Sequence, residues 1–324
     1  VKKINVEAFL NQMSTGISAP SLILGDDGES YILKKQKSGE YNFDSMFLNE
    51  AIAYELAKHL EIPMPDCAIG NIDKELVDLD RDIVFVHKFF EGLHFASKEI
   101  ENVENNLVDN FIEMFQMGKP YIKRTWNEFF KNISNKRDIA KVICFDLLIA
   151  NFDRYNHEAN FILTDDDGDT KFYAIDHGHS FFGPIWSQDK MNQLDGYSRN
   201  PNFLNEYMNK HITGVTRGKT NMGMIFKALE TNVNIIDIEN HDFKEIIYQI
   251  ECLDEKFLRD ILRQLPDEWY INKQLQTDYF VNFIMNHKLN IRNCIQYLVD
   301  NNYFTNYRGG QLLWKEEPLK DVIQ

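Results

Sequence analysis

Phe145–Phe182 reads FDLLIANFDRYNHEANFILTDDDGDTKFYAIDHGHSFF. Its first part closes a helical pattern in which Ile139, Val142, Ile143, Leu147 and Ala150 recur at helical spacing. The pattern stops at Asn151-Phe152-Asp153, which places Asp153 in a loop behind a buried helix. A short apolar run, Phe161–Leu163, is followed by the acidic turn Asp165–Asp169 around Gly168 and by a second run, Phe172–Ile175. That order predicts a β-hairpin. The strands of a hairpin run back beside each other, so Asn160 and Asp176, flanking its open end, become neighbours at roughly 5 Å. An amide oxygen and a carboxylate side by side, with Asp153 a few residues upstream, suit a hard divalent cation and a phosphoryl group in transit.

Asp153-Arg154, Asn160-Phe161-Ile162 and Ala174-Ile175-Asp176-His177-Gly178-His179 resemble the D-R-x-x-x-N catalytic loop and the I-D-F-G-H metal motif of phosphatidylinositol kinases and HipA-like kinases. The match is to the compact HipA-like kinase domains of bacteria most of all. One departure is plain: Asn160 lies seven positions after Asp153, where the common spacing is five, and the fifth position is Glu158. Asn160 is taken as the equivalent because it directly precedes the apolar strand. The resemblance covers most of residues 13 to 290. It implies an α+β, bilobed protein-kinase-like fold, with a small mixed N-lobe carrying an antiparallel sheet over residues 1–91. A larger, mostly helical C-lobe would span 92–290, and 291–324 would form a C-terminal extension of no assigned role. It further implies ATP and magnesium (Mg2+) as cofactors: Asp153 orients or accepts the proton of the attacking hydroxyl, Asn160 and Asp176 hold the metal, and Lys34 and Arg154 complete the catalytic set. Arg154 would do so by steadying the catalytic loop or the developing phosphate charge, with a loop salt bridge as its plainer reading.

Upstream, Met13–Leu24 joins a small-residue loop to an apolar run, and Asp26-Asp27-Gly28 turns the chain into Ser30–Lys34. Under the resemblance, Ser14, Thr15, Gly16, Ser18 and Ser21 donate hydrogen bonds to nucleotide phosphates; a surface hairpin with a polar loop is the plainer alternative. Strand alternation puts Lys34 on the face of Ile32, opposite Tyr31, Leu33 and Lys35. Lone strand lysines usually face solvent, and it is the resemblance that selects Lys34 over Lys35. Phe47–Leu60 predicts an amphipathic helix ending before Pro63 and Pro65. In the family such a helix carries a glutamate that pairs with the strand lysine, which points to Glu50, with Glu55 as the alternative and a solvated helix face as the other reading of both. Ile83–Phe90 predicts a buried strand leaving the first lobe, with Lys88, Phe89, Phe90 and Glu91 as a hinge against adenine. Ile32, Phe89 and Phe161 or Ile175 would be its apolar walls; an ordinary core strand is the alternative.

Asp146 interrupts an apolar helix face, so it is either hydrogen-bonded to the loop behind it or exposed at an edge. His177 and His179 lack the further ligands of a zinc site, and the acidic turn fails as a calcium loop because Leu163 would fall at the first ligand position. The stretch after Asp176, from His177 to Asn202, has the length and polarity of an activation-type segment or substrate-facing loop, and Met222–Asn301 predicts helices packed on a core.

The 324 residues carry a net charge of −15, which argues against nucleic acid or an anionic membrane as bulk partner. No apolar stretch is long enough to cross a bilayer. The N-terminal Val-Lys-Lys-Ile-Asn is no secretory signal, and the four cysteines are scattered without a zinc or disulfide pattern. A cytoplasmic location is expected. For acceptor the resemblance implies a protein serine or threonine hydroxyl, with self-phosphorylation at Ser14, Thr15, Ser18 or Ser21 and an antitoxin-like or regulatory protein partner as further implications. A nucleotide-binding pseudokinase, a small-molecule or lipid kinase and a metal-dependent phosphohydrolase are the alternatives.

Overall fold

The computed structural model describes residues 1–13, 19–38, 40–103, 130, 132–156, 160–166, 168–216, 219–220 and 222–315. Its N-terminal part is built from β1 (Lys2–Gln12), β2 (Ser21–Gly25), β3 (Ser30–Leu33), helix α1 (Met46–His59), β4 (Cys67–Ile72) and β5 (Gly92–Lys98). The expected turn between β2 and β3 is present, with Gly28 in the left-handed region at φ 79°. The five strands close into a barrel in the order β1-β2-β3-β5-β4. All pairs are antiparallel except β1 with β4, which run parallel, so the sheet is mixed rather than purely antiparallel. Ile4, Val6, Ile23, Tyr31, Leu33, Ala68, Ile72 and Ala96 fill the barrel, with Ile83 and Phe89 packed against them.

Two expectations for this part need correction. Ile83–Phe90 is not a strand: Asp82–Phe85 forms a single helical turn, and Lys88 sits at φ 61°, a left-handed conformation that ends any extended run. The periodicity misleads because Ile83 and Phe89 are buried while Phe85, Val86 and Phe90 stand out to solvent. The strand that reaches the second part of the molecule is β5, which pairs with β3 and β4; the N-terminal sheet therefore extends past residue 91. Helix α1 is also not amphipathic. Eleven of its residues, from Met46 to Ala57 and including Asn49 and Glu50, are buried, since it packs between the barrel and the helices that follow.

The C-terminal part contains α2 (Asp138–Leu148), the hairpin β6 (Phe161–Asp166) and β7 (Asp169–Ala174), then α3 (Gln188–Leu194), α4 (Phe243–Glu251), α5 (Glu255–Gln264), α6 (Lys273–His287) and α7 (Ile291–Asp300). The sequence also predicts a break between helices at Gly118-Lys119-Pro120, which lies outside the described residues. The hairpin is present as expected, with Phe161 opposite Ala174 and therefore Asn160 beside Ile175, and it turns at Gly168 with φ 85°. Helix starts follow capping chemistry: Asp254 accepts from the Phe257 N–H at 2.8 Å and Asn272 from that of Leu275 at 3.0 Å. The chain beyond 290 is not a separate extension. Ile291, Cys294, Ile295, Leu298, Val299, Phe304 and Leu312 enter the main core, each large apolar side chain contributing about 1.5–3 kcal/mol by burial.

One of the ties between the two parts is where the backbone of Leu93 meets Pro266-Asp267-Glu268-Trp269. The Leu93 N–H donates to Glu268 Oε1 at 2.7 Å, and Trp269 Nε1 donates to the Leu93 carbonyl at 2.9 Å. Trp269 also packs on Phe47 of α1, with ring centroids 5.2 Å apart. No helix among the described residues is long and apolar enough to cross a membrane.

Candidate active site

Lys34 leaves the end of β3 with its N–H bonded to the Phe95 carbonyl at 2.9 Å. Alternation then turns its side chain away from the barrel, whereas that of Lys35 returns to the His87 carbonyl at 2.7 Å beside the Phe89 ring. The Lys34 Nζ donates to Glu50 Oε1 at 2.5 Å and to Asp176 Oδ1 at 3.0 Å. It is Glu50, not Glu55, that meets the lysine, as the family resemblance implied. Burial works against the Lys34 ammonium, but the Asp176 and Glu50 carboxylates outweigh it and hold its pKa above the ordinary value. Asp176 is held well below the carboxylate range, mainly by the charge of Lys34. Burial raises the Glu50 carboxyl, opposed by Lys34 and by the backbone N–H of His177.

The three groups face a cleft of about 510 Å3 whose walls also include Asp153, Asn160, Ile32 and Ile175, a size suited to a nucleotide-sized ligand. Asn160 sits at the open end of the hairpin, where its carbonyl accepts from the Ile175 N–H at 3.1 Å. Asp176 follows with φ 59°, a strained conformation for a non-glycine residue that swings its carboxylate towards Lys34. Gly178 is required by close approach, because a Cβ there would lie 2.7 Å from Met46 Cγ and 3.2 Å from Glu50 Oε1.

Of the roles open to Arg154, its place fits the one that steadies the loop and not the one that reaches the phosphates. It is completely buried and does not line the cleft. Its Nε donates to Asp146 Oδ2 at 2.7 Å, one terminal nitrogen donates to the Asn160 and Ile175 carbonyls at 2.8 Å each, and the other to His177 Nε2 at 2.5 Å. Arg154 therefore fixes the backbone on both sides of Asn160 and Asp176 and has no route to a substrate. Burial and the nearby guanidinium keep His177 neutral, with its pKa well below the usual value. Asp146 is buried too, bonded to Arg154 and to the Asn151 amide at 2.9 Å; of its two sequence readings, the hydrogen-bonded one holds.

The remaining nucleotide contacts divide. Ile32 and Ile175 line the cleft, but Lys88, Phe89, Phe90 and Glu91 do not: Phe89 is inside the barrel and Phe90 is 57 % exposed. Their place is taken by Phe95, Ser97, Lys98 and Ile100 at the end of β5, with Cys67 and Met64 opposite. The signal was available in Leu93–Lys98, whose alternation after Gly92 is strand-like. Ser21 is fully buried and bonds His87 Nδ1 at 3.0 Å, so its hydroxyl faces the barrel side and not the cleft. Ser14, Thr15, Gly16 and Ser18, like Glu158, lie outside the described residues. Among the described residues no three or more His, Cys, Asp or Glu side chains are grouped to hold a metal by themselves. Asp176 and Asn160 are hard oxygen donors of the kind magnesium accepts when phosphates and water supply the rest of its shell, so the donor set fits that cation.

Comparison with known proteins points the same way. The profile of a family described as HipA-like kinase matches residues 6–214. Among solved structures, the crystal structure of the Helicobacter pylori proinflammatory kinase CtkA is similar in fold, with a TM-score of 0.51 at 13 % identity over 93 % of this chain and 97 % of that one. No curated protein sequence matches the chain.

Proposed function

The chain belongs to the HipA-like kinase family, and from that premise we propose that it transfers the γ-phosphoryl group of ATP to a serine or threonine hydroxyl of a protein, in a two-lobed enzyme whose cleft lies where β5 ends. The observation that carries this reading is the placement of Lys34 between Glu50 and Asp176 at the mouth of a cleft that Asp153 and Asn160 also line. Glu50 holds the lysine towards the cleft, where its ammonium offsets phosphate charge. Asp153 orients the acceptor hydroxyl and takes its proton as the oxygen–phosphorus bond forms and ADP departs. Asp176 and Asn160 are the residues that would hold magnesium, which when bound supplies charge neutralisation across the phosphates. Arg154 acts through others, as a positioning residue for the loop and hairpin.

A protein acceptor accords better with a net charge of −15 than a lipid one, since lipid kinases work against an anionic surface. Self-phosphorylation belongs to this proposal at Ser14, Thr15 or Ser18. The buried Ser21 is withdrawn from it. An antitoxin-like or regulatory protein partner follows from the family resemblance alone, and a cytoplasmic location accords with four cysteines that form no disulfide pattern. The test is incubation with labelled ATP and magnesium beside Asp153→Ala and Asp176→Ala. Transfer lost in both variants supports the assignment, and transfer retained in both overturns it. Stabilisation by ATP without any transfer would instead assign a nucleotide-binding pseudokinase.

A further inference from the structure

Asn49 adjoins Glu50 on α1 and is completely buried. Its Nδ2 donates towards three carbonyls of the segment after Asp176, those of Gly178 at 2.7 Å, Ser180 at 2.9 Å and Gly183 at 3.0 Å. Its Oδ1 accepts from Lys190 Nζ at 3.0 Å and from Ser45 Oγ at 3.3 Å. Lys190, on α3, is itself only 1 % exposed and donates a second hydrogen bond to the Gly183 carbonyl at 2.6 Å. The segment so gripped is conformationally costly: Asp176, Phe181, Phe182 and Gly183 all have left-handed φ, at 59°, 55°, 66° and 116°. Three of these are not glycine, and such backbone persists only where its surroundings over-determine it.

We propose that Asn49 and Lys190 are positioning residues for the transfer reaction, a buried latch that binds residues 177–184 to α1 and so sets the Asp176 carboxylate in place before any ligand arrives. Two neighbouring residues of one helix then grip the segment from both sides. Glu50 holds Lys34 and the His177 N–H, while Asn49 holds the carbonyls that follow. What Asp176 does once held rests on the phosphotransferase reading above; the latch itself rests on the contacts.

The chemistry of Lys190 separates this role from a merely structural one. A buried ammonium with only neutral acceptors is expensive to desolvate. Without it neither acceptor is orphaned, because Asn49 Oδ1 keeps Ser45 and the Gly183 carbonyl keeps Asn49 Nδ2. Lys190→Met therefore removes a desolvation cost while loosening the latch, so stability and function move apart. Asn49→Asp is the complementary change, since it keeps an acceptor for Lys190 and turns an oxygen towards the three carbonyls.

The experiment uses the full chain, with thermal unfolding read in ATP alone and during a magnesium titration in ATP, and amide hydrogen exchange followed over residues 177–184. In both variants the shift given by metal-free ATP stays as in the wild type, the magnesium needed for the further shift rises about tenfold, and protection of 177–184 is lost. The ligand-free Tm of Lys190→Met falls by no more than about 2 °C. Unchanged magnesium midpoints with unchanged exchange in both variants overturn the latch, as does a large fall in Tm unaccompanied by either change. A wild type that neither responds to magnesium nor transfers phosphate removes the phosphotransferase reading. Exchange then still decides the latch: protection lost in the variants supports it, protection retained overturns it.

Discussion

Replacing Arg154 by methionine tests whether the loop after α2 and the β6–β7 hairpin are held by one buried cation. Methionine matches much of the apolar stem but removes four hydrogen bonds, to Asp146, to the carbonyls of Asn160 and Ile175, and to His177. The Asp146 carboxylate, 2 % exposed, loses its countercharge and keeps only neutral partners such as the Asn151 amide. Removing one member of a buried ion pair costs about 3–5 kcal/mol, which for a chain of 324 residues corresponds to a fall in Tm of roughly 4–7 °C. Urea unfolding of Arg154→Met, Asp146→Leu and the double variant measures it. The double variant removes both charges, so it regains about 2 kcal/mol or more relative to the sum of the single changes. Phosphate transfer stays lost in the double variant, because the Asn160 and Ile175 carbonyls remain untethered. A single variant within about 1 kcal/mol of wild type, or a cycle that is additive, refutes the reasoning.

Gly178→Ala places a methyl group against Met46 and Glu50, and overpacking of this kind lowers stability by about 1–3 kcal/mol; thermal unfolding and the transfer assay should fall together, with partial recovery in Met46→Ala. His287 is buried between Tyr197 and the Leu147 carbonyl and its pKa is lowered by that burial to about 4. It is neutral in the folded protein while the unfolded chain takes up a proton near the ordinary pKa of about 6.5, so stability declines as pH falls from about 6.5 towards 4. His287→Gln should reduce the slope of unfolding free energy against pH in that window by about 1.4 kcal/mol per pH unit. Asp176 is depressed by Lys34, so its contribution is present above the ordinary carboxylate pKa of about 3.9 and is lost at lower pH; Asp176→Asn should flatten the acid limb of Tm against pH below about 4. Trp269→Phe keeps the ring on Phe47 but removes the bond to the Leu93 carbonyl, and should cost about 1 kcal/mol while raising exchange at the start of β5.

Motifs carried by local spacing were legible in advance. The hairpin turned at Gly168 as the pattern required, bringing Asn160 and Asp176 to its open end, and the alternation Tyr31-Ile32-Leu33-Lys34 put Lys34 on the cleft side. Several readings that needed knowledge of what lies across space did not survive. Ile83–Phe90 looked like a buried strand because it is a near-continuous apolar run, yet Ile83 and Phe89 pack with the barrel core while Phe85, Val86 and Phe90 are exposed. Strand β1 was missed because charged and polar residues share it with Ile4 and Val6, which acquire their role only when the barrel closes around them. For Arg154 the sequence left open whether it steadies the loop or reaches the phosphates, and it is the single turn of helix at Arg154–Asn156 that directs it inward to Asp146.

Local chain chemistry thus determined which side chains could do phosphoryl chemistry, because turn residues and strand alternation act over a few positions and are written in the order of residues. The fold alone decided which of them are brought together and how firmly. Lys34 meets a helix residue, Glu50, and a loop residue, Asp176, that is 142 positions away along the chain. Whether a buried Asn49 or Lys190 has partners depends on carbonyl groups, which every residue carries alike and whose directions are set only when the backbone is folded in three dimensions.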